Sequence, residues 1–236
     1  YVKRLWTNSE PLYLNKGKTR LKILKNKYQS YFKIKQRKNF LDSNSNKSIK
    51  DKKFFYFPLQ SEPESIVSIK APFYLDAVTL IENIAKSIPI DSILYVKEHP
   101  IQKEKSWRPI DVYQRIIDIP NVKLIHPNVN SQELISKSQA VFCVSGATGF
   151  EALFYKKPVI LFSNEYYDVH SMIFKVKNFT ELPIMINHAI QNIKFNDDEL
   201  HALMQASDNQ SISIPYFSML KDGITISSIQ KNDNFE

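Results

Sequence analysis

The chain has 236 residues, of which 43% are apolar, and this is enough to build one or two folded domains. Its net charge of +8 is unevenly placed, because residues 1–53 hold 16 of the 32 basic residues and only 3 of the 24 acidic ones. A single cysteine, Cys143, excludes a disulfide framework, and no apolar run approaches the ~20 residues that a membrane span needs.

The basic N-terminal segment predicts a helix followed by a polar stretch. Apolar residues recur at helical spacing across residues 21–38, whereas residues 42–53 are rich in turn formers and indicate a linker. We expect residues 1–53 to be a basic helical connector from a domain that precedes this chain. Residues 54–210 are then the main domain, and residues 211–236 are a tail or returning helix. The charge excess also fits a binding arm for nucleic acid or an anionic membrane.

From residue 54 onward, short apolar runs alternate with helical patterns. The predicted strands are 54–59, 92–98, 121–127, 140–145 and 158–163, and the predicted helices are 74–88, 110–117, 131–138, 148–156, 180–193 and 197–205. Ser131 is the predicted N-cap of its helix. Near-continuous apolar strands separated by helices are typical of a parallel sheet covered on both faces. With right-handed crossovers, they predict a Rossmann-like, doubly wound α/β domain.

Polar residues follow every predicted strand. Gln60, Glu62 and Glu64 follow the first strand, Lys97, Glu98, His99 and Pro100 end the second, His126 and Pro127 end the third, and the sequences SGATGFEAL and NEYYDVH follow the fourth and fifth. In a doubly wound sheet, ligands bind at the carboxyl ends of the strands, close to the reversal of strand order. We therefore expect these side chains to gather at one edge of the sheet.

The sequence VSGATGFEAL, residues 144–153, places two of the chain's four glycines between a strand and a helix. Glycine lets the backbone turn sharply and approach a ligand closely, and the N–H groups at a helix start favour an anion. Ser145 and Thr148 add hydroxyl donors. This stretch predicts a phosphate-binding turn, and the alternative is a tight turn with a Ser/Thr helix cap.

His99 is the histidine that the pattern favours for chemistry. Side chains alternate along a strand, so Lys97 and His99 share one face and Glu98 takes the other. Pro100 holds the backbone before it extended. His126 is expected to be a turn residue. No cysteine cluster or H-x-x-x-H spacing indicates a metal, and no G-x-S-x-G indicates a serine hydrolase.

The stretches FYFPLQSEPES, YVKEHP, NVKLIHPNVNSQELI and AVFCVSGATGFEALFYKKPVILF, followed by YY, occur in this order over about residues 54–168. Together they resemble the C-terminal half of bacterial capsule polysaccharide biosynthesis proteins of the Kdo-transferase type. The resemblance implies a GT-B glycosyltransferase, with two Rossmann-like domains and the active site between them. In that architecture the C-terminal domain binds the sugar donor, which in this group is linked to CMP.

The resemblance also implies roles for individual residues. His99 is the expected catalytic residue, acting as a donor to the phosphate that leaves. The expected nucleotide- and phosphate-binding residues are Lys97, Pro100, Ser145, Gly146, Ala147, Thr148, Gly149 and Glu151, and the candidate donor contacts are Gln60, Glu62 and Glu64. No metal or other cofactor is expected, because protein donors would neutralise the phosphate of the nucleotide-sugar substrate.

The resemblance implies a CMP-activated donor, a glycan or glycolipid acceptor, and a cytoplasmic location that includes peripheral association with the inner membrane. Nucleic acid is not an expected partner. We expect this chain alone to be inactive, because the base that activates the acceptor generally lies in the other domain. Three alternatives stay open: a teichoic-acid-type CDP-alcohol polyol-phosphate transferase, a UDP-sugar transferase or epimerase of the same fold, and a binding module with a basic arm.

Overall fold

The computed structural model describes residues 20–62, 69–103, 107–191 and 194–210. The chain divides into two units, residues 1–196 and residues 197–236. The first unit carries a sheet with its helices, and the second carries one helix within the described residues.

In the described residues, six strands form one parallel sheet: β1 (Phe54–Pro58), β2 (Ile93–Lys97), β3 (Val122–Ile125), β4 (Val141–Cys143), β5 (Val159–Leu161) and β6 (Ile173–Lys175). The strand order is β3-β2-β1-β4-β5-β6, so the direction of winding reverses between β1 and β4. This order is that of a doubly wound sheet. The predicted Rossmann-like α/β fold is therefore confirmed.

Among the described residues, the helices of the first unit include α1 (Arg20–Asn44), α2 (Ala77–Ser87), α3 (Ile110–Ile117), α4 (Ser131–Lys137), α5 (Ala147–Phe154) and α6 (Leu182–Gln191), and short 3-10 turns occur at Pro72–Tyr74, Pro100–Lys103 and Phe179–Glu181. The helix of the second unit is α7 (Asp197–Gln210), which has three acidic residues in its first turn, where they interact favourably with the helix dipole. Helix α2 begins at an Asp76 cap that accepts the N–H of Val78 at 3.1 Å.

The sheet is buried on both faces, which explains why its strands are apolar without alternation. Neighbouring residues of a strand point to opposite faces. Phe54 packs on Tyr95 with ring centroids 4.7 Å apart, and Phe55 packs on Phe142 with centroids 5.7 Å apart. All four rings are almost completely inaccessible to solvent. Because both faces of the sheet are covered, its polar residues lie at the strand ends.

The segment predicted to be a linker is attached to the sheet. Helix α1 continues to Asn44, because Leu41 in its last turns is buried in the core. The backbone N–H of Asn46 then donates to the carbonyl of Leu124 at 2.8 Å, and the Asn46 carbonyl accepts from the N–H of His126 at 2.9 Å. The polar composition of residues 42–53 therefore serves hydrogen bonds along β3.

One local prediction is wrong, and one strand was not predicted. The N-cap of α4 is Asn130, whose side chain accepts the N–H groups of Gln132 at 2.7 Å and Glu133 at 3.4 Å, so Ser131 is the first helical residue. Strand β6 was not predicted, because its three residues are only half-buried or exposed and carry no pattern. The displaced cap leaves the Ser131 hydroxyl available to another partner.

Candidate functional site

The carboxyl ends of β1 and β4 lie side by side, where the strand order reverses. Gln60, two residues beyond β1, donates from Nε2 to the backbone carbonyl of Ser145, two residues beyond β4, at 3.0 Å. The structure thus joins two of the predicted loops directly. The crevice at this reversal is where doubly wound domains bind ligands.

Behind this crevice, Glu98 and Arg108 form a buried ion pair. Arg108 Nε donates to Glu98 Oε2 at 2.8 Å, and both side chains are almost completely inaccessible to solvent. Glu98 also accepts from the hydroxyl of Tyr113 at 2.7 Å and from the backbone N–H of His99 at 2.7 Å. A buried carboxylate satisfied by a cation and two further donors is a fixed anchor. Glu98 therefore orients the loop that begins at His99.

The same arginine holds the loop that follows β1. Its Nη1 lies 2.5 Å from Glu62 Oε1, and its Nη2 donates to the carbonyl of Gln60. The side-chain amide of Gln102 accepts the N–H of Glu62 at 3.0 Å and donates to its carbonyl at 3.1 Å. The loops after β1 and β2 are therefore connected through polar contacts. Glu64, a predicted donor contact, lies outside the described residues.

His99 is exposed at the end of β2, where the sequence predicted it. Its Nδ1 accepts the backbone N–H of Ile101 at 3.2 Å, so the proton of a neutral ring lies on Nε2. Pro100 begins a 3-10 turn, which ends the extended backbone. The ring is thus held by its own loop, with Nε2 as the hydrogen-bond donor.

His126 has a structural environment, in agreement with its expected role as a turn residue. Its Nε2 lies 3.0 Å from Asp42 Oδ1 in α1, and its Nδ1 accepts the backbone N–H of Asn128 at 3.2 Å. These two contacts tie α1 to the loop after β3, on the far side of β2 from the strand-order reversal.

The turn after β4 is held by a carboxylate from the loop after β5. Gly146 has φ of +96° and ψ of −170°, a backbone conformation that is nearly restricted to glycine. Ser145 Oγ donates to Glu165 Oε1 at 2.7 Å, and the Gly146 N–H donates to the same oxygen at 3.2 Å. Lys70 Nζ lies 2.9 Å from Glu165 Oε2. Glu165 thus occupies two of the donors that were predicted to bind phosphate, the Ser145 hydroxyl and the Gly146 N–H.

Glu165 is held as an anion. Burial raises the pKa of its carboxyl, but the bonds from Ser145, Lys70 and the Gly146 N–H outweigh burial, and the net pKa lies below the ordinary value. The carboxylate is therefore ionised throughout the neutral pH range, and any substrate anion that uses this turn has to displace it.

Gly149 permits a close packing contact that shapes the same turn. A Cβ at this position would lie 2.6 Å from the hydroxyl oxygen of Tyr167, which is shorter than any ordinary contact. That hydroxyl donates to the carbonyl of Gly146 at 2.7 Å. Burial raises the pKa of the nearby Cys143 thiol to about 11, so the cysteine is an inert core residue.

The other predicted residues of α5 are Ala147 and Thr148 in its first turn and Glu151 in its second. Ala147 and Glu151 are exposed, and Thr148 is half-buried. The N-cap is Gly146, which has no side chain to accept a helix N–H. The alternative of a Ser/Thr cap at this turn is therefore wrong, and the Ser145 hydroxyl serves Glu165 instead.

Lys97 is a predicted site residue whose charged side chain is almost completely buried. It is 4% exposed, and its Nζ donates to Ser131 Oγ at 2.6 Å. Burial lowers the pKa of Lys97 and raises that of Tyr56, a neighbour of the same Ser131 hydroxyl. Lys97 ends β2 and Tyr56 lies on β1, whereas Ser145 and Gly146 follow β4.

Three residues of the site, Arg108, Glu165 and Lys70, were not predicted as site residues. Glu165 lies in NEYYDVH, which follows a predicted strand and was expected at the same edge, so its position could be anticipated but not its partner. Lys70 is 95 residues away from Glu165, and no sequence signal relates the two.

Within the described ranges, no cluster of three or more His, Cys, Asp or Glu residues is arranged to hold a metal ion. Over the same part of the chain, no helix combines the length and apolar character that crossing a membrane requires.

Residues 9–174 match the model of the capsule polysaccharide biosynthesis protein family. The match covers well over half of the chain and includes the loops after β1, β2, β4 and β5. No curated protein matches the chain.

Solved structures match at low identity. The β-Kdo 2,7 transferase KpsC of Thermosulfurimonas dismutans is 20% identical, with a TM-score of 0.46 over 73% of this chain and 53% of its own. The β-Kdo 2,4 transferase of the same protein is 17% identical, with a TM-score of 0.45 over 78% of this chain and 56% of its own. The UDP-GlcNAc 2-epimerase of Methanocaldococcus jannaschii is 14% identical, with a TM-score of 0.49 over 73% of this chain and 49% of its own. The chain thus spans about half the length of these structures.

Proposed function

The chain belongs to the capsule polysaccharide biosynthesis protein family, and from this membership we propose that it is the donor-binding part of a glycosyltransferase. The reaction transfers a sugar of the Kdo type from a CMP-activated donor to a glycan or glycolipid acceptor. The observation that carries the proposal is the direct contact of Gln60 with Ser145 at the strand-order reversal, and the neighbouring strand β2 ends at the exposed His99. A nucleotide phosphate placed there meets the polar loops of three adjacent strands.

In this reaction the bond between the anomeric carbon and the phosphate oxygen breaks, while the acceptor oxygen bonds to that carbon. Negative charge grows on the departing phosphate of CMP. A donor placed at that phosphate stabilises the transition state more than the ground state. His99 is the proposed catalytic residue, because its Nε2 is the donor nitrogen of the neutral ring. The acceptor proton passes to a base that this proposal does not assign.

The turn after β4 supplies further donors to the nucleotide. Ser145, Gly146 and Thr148 are proposed to contact the phosphate once Glu165 has moved aside. Glu151, exposed on α5, is proposed to bind a ribose hydroxyl. Gln60 and Glu62, in the loop after β1, are proposed to contact the donor as well. No metal is required if these groups neutralise the phosphate.

The proposal places the reaction in the cytoplasm, and the basic segment of residues 1–53 is suited to peripheral attachment at an anionic membrane surface. The acceptor would then be presented at that surface.

A transfer assay tests the proposed function. The protein at its natural length is incubated with a glycolipid acceptor and CMP-Kdo, a UDP-sugar or a CDP-alcohol, and the product is detected by mass spectrometry. Product from CMP-Kdo alone supports the proposal. Product from a UDP-sugar or a CDP-alcohol, with none from CMP-Kdo, contradicts it.

A further inference from the structure

Helix α1 turns one side toward the core over its C-terminal half. Ile34 and Leu41 pack in the hydrophobic core, and Arg37, which lies between them in sequence, donates from Nη1 to the carbonyl of Trp107 at 3.0 Å. These three residues are three and four positions apart, so they share one side of the helix. In the preceding turns, every residue from 25 to 33 is exposed. That part of α1 is therefore surface.

Three aromatic side chains form a cluster on this exposed part of α1. Tyr28 is 68% exposed, Tyr31 63% and Phe32 44%. The ring centroids of Tyr28 and Phe32 are 4.7 Å apart, and those of Tyr31 and Phe32 are 5.9 Å apart. With about 3.6 residues per turn, the cluster lies roughly 140° around the helix axis from the side that contacts the core. The rings therefore touch one another while their outer faces stay accessible.

Positive charge surrounds the aromatic cluster. Residues 20–41 contain eight Lys and Arg residues and no acidic residue. Lys25 lies three positions before Tyr28, and Lys35 lies three positions after Phe32, so both are neighbours of the rings on the same side of the helix. Both lysines are exposed. Electrostatic complementarity selects an anionic partner for such a surface, and the rings require that this partner also offers groups that pack on aromatic faces.

An acidic polysaccharide meets both requirements. The C–H groups of a sugar ring pack on the negative face of an aromatic ring, and the carboxylates of acidic sugars pair with ammonium groups. Anionic lipid would attract the same lysines. However, a helix that embeds its rings in a bilayer presents a broad apolar face opposite a charged one. Lys25 and Lys35 interrupt the aromatic side of α1, so the surface fits a polysaccharide better.

We propose that Tyr28, Tyr31, Phe32, Lys25 and Lys35 form a binding surface for an acidic polysaccharide. The inference rests on the proposed function for the chemistry of the polymer, because each Kdo-type sugar carries a carboxylate. Sugar rings pack on the aromatic side chains, and the two lysines pair with carboxylates of the polymer. The surface shares no residue with the loops of the proposed donor site, so it holds the polysaccharide and not the nucleotide.

Calorimetry on the whole chain with defined polymers tests the rings. The probes are polygalacturonate, which is an acidic polysaccharide, dextran, which is neutral, and polyglutamate, which has carboxylates but no sugar rings. Wild type should bind polygalacturonate most tightly. Tyr28→Ala/Tyr31→Ala should weaken this binding by about tenfold or more, as expected for tyrosines that anchor an interface, and should leave polyglutamate binding unchanged. Tyr28→Phe/Tyr31→Phe keeps the ring faces and should keep the affinity.

Two further variants test the lysines at equal net charge. Lys25→Gln/Lys35→Gln should weaken polygalacturonate binding about fivefold, the value of two exposed ion pairs, and the loss should shrink as salt is added. Lys86→Gln/Lys137→Gln removes two exposed lysines of α2 and α4 and should leave the affinity close to that of wild type. Equal losses in the two variants would mean that only net charge matters and would overturn the proposal. These exposed lysines decide the question even if the alanine variant fails to fold.

Other outcomes assign the surface differently. Equal affinity of wild type for polyglutamate and polygalacturonate would overturn the proposal in favour of a general polyanion site. Binding to vesicles of anionic phospholipid that depends on Tyr28 and Tyr31, with no binding of polygalacturonate, would overturn it in favour of a membrane surface. A lower melting temperature of Tyr28→Ala/Tyr31→Ala with unchanged polymer binding would show that the rings pack within the protein and would also overturn it.

The transfer assay judges the proposed function separately. Polygalacturonate binding that depends on α1, without transfer from CMP-Kdo, would retain this surface and reject the proposed donor. Transfer from CMP-Kdo without polygalacturonate binding would retain the proposed function and overturn the surface.

Discussion

The hydroxyl of Ser145 donates to the carboxylate of Glu165 at 2.7 Å. The two residues come from loops after adjacent strands, β4 and β5, and the contact fills a turn whose sequence indicates phosphate binding. Lys70, from the segment between β1 and α2, pairs with the same carboxylate at 2.9 Å. The carboxylate therefore competes with the phosphate of the proposed donor, and this competition can be measured.

Replacement of Glu165 by glutamine should strengthen CMP binding. The substitution removes the negative charge that occupies the donors of Ser145 and Gly146 and releases the ammonium of Lys70. We expect a gain of about fivefold in affinity, corresponding to the roughly 1 kcal/mol of a typical net hydrogen bond. Calorimetric titration of CMP into wild type and Glu165→Gln measures the difference.

Glu133→Gln serves as the matched control, because Glu133 makes an exposed ion pair with Lys137 on α4. Its CMP affinity should equal that of wild type. Weaker CMP binding by Glu165→Gln would mean that Glu165 itself contacts the nucleotide. It would contradict competition between the Glu165 carboxylate and the donor phosphate.

His99→Ala should slow sugar transfer with little change in stability. Loss of one donor to the departing phosphate typically lowers kcat by ~10²–10³. His99 is exposed at the strand end, so its removal leaves the core intact. His126→Ala is the control for histidine loss, and its kcat should remain close to that of wild type. The measurement is steady-state kinetics on the protein at its natural length.

One result would assign His99 a structural role instead of a catalytic one. If His99→Ala lowers the melting temperature sharply while each folded molecule keeps its activity, the residue is structural. The hydrogen bond from Ile101 to Nδ1 would then be its main role.

Glu98→Gln should destabilise the fold. Among the described residues, the substitution leaves the buried guanidinium of Arg108 with the half-exposed Glu62 as its remaining anionic partner. Breaking a buried pair by removing one charge costs about 3 kcal/mol or more. Urea denaturation of wild type and Glu98→Gln gives the change in the free energy of unfolding.

The exposed pair of Glu133 and Lys137 again provides the comparison, since such pairs contribute less than about 1 kcal/mol. Equal losses of stability in Glu98→Gln and Glu133→Gln would refute the claim that the buried pair anchors the loops after β1 and β2.

Gly149→Ala should also destabilise the fold, because the new methyl group would lie 2.6 Å from the Tyr167 hydroxyl. Overpacking of this kind costs about 1–3 kcal/mol. The double variant Gly149→Ala/Tyr167→Phe should recover part of the loss, since it removes the closest atom. Thermal denaturation of the single and double variants measures the recovery.

Gly146→Ala tests backbone strain, separately from the steric effect that is expected at Gly149. No atom lies within 4 Å of a Cβ at Gly146, but its φ of +96° disfavours any side chain. The Gly146→Ala loss should therefore persist when Tyr167→Phe is added. A gain in stability when Tyr167→Phe is added to Gly146→Ala would contradict these roles of the two glycines. So would the absence of a gain when it is added to Gly149→Ala.

The sequence predicted the sheet well because each central strand is an apolar run bounded by polar turns. The same pattern predicted that the loops after β1 and β4 meet, and Gln60 indeed contacts Ser145, since the carboxyl ends of parallel strands lie at one edge. Strand β6 escaped prediction, because Ile173–Lys175 is short and only partly buried, and burial supplies the pattern on which such predictions depend.

Side-chain partners could not be predicted in the same way. Ser131 has the composition of an N-cap, yet Asn130 caps the helix and Ser131 instead accepts from Lys97, 34 residues away. Glu165 was visible as part of a polar loop, but its contact with Ser145 depends on how β4 and β5 pair. Pairing at such sequence distances is decided by packing, which local patterns do not encode.

Nucleotide selectivity tests the central claim most directly. Calorimetric titration of the chain with CMP, UMP and ADP at equal concentrations compares three nucleotides at the proposed site, of which CMP and UMP differ only in the base and ADP also carries a second phosphate. The proposed CMP-sugar donor predicts the highest affinity for CMP, and Glu165→Gln should raise that affinity further. Equal affinities for all three nucleotides, or binding of none, would contradict the assignment of the strand-order reversal as a CMP-sugar site.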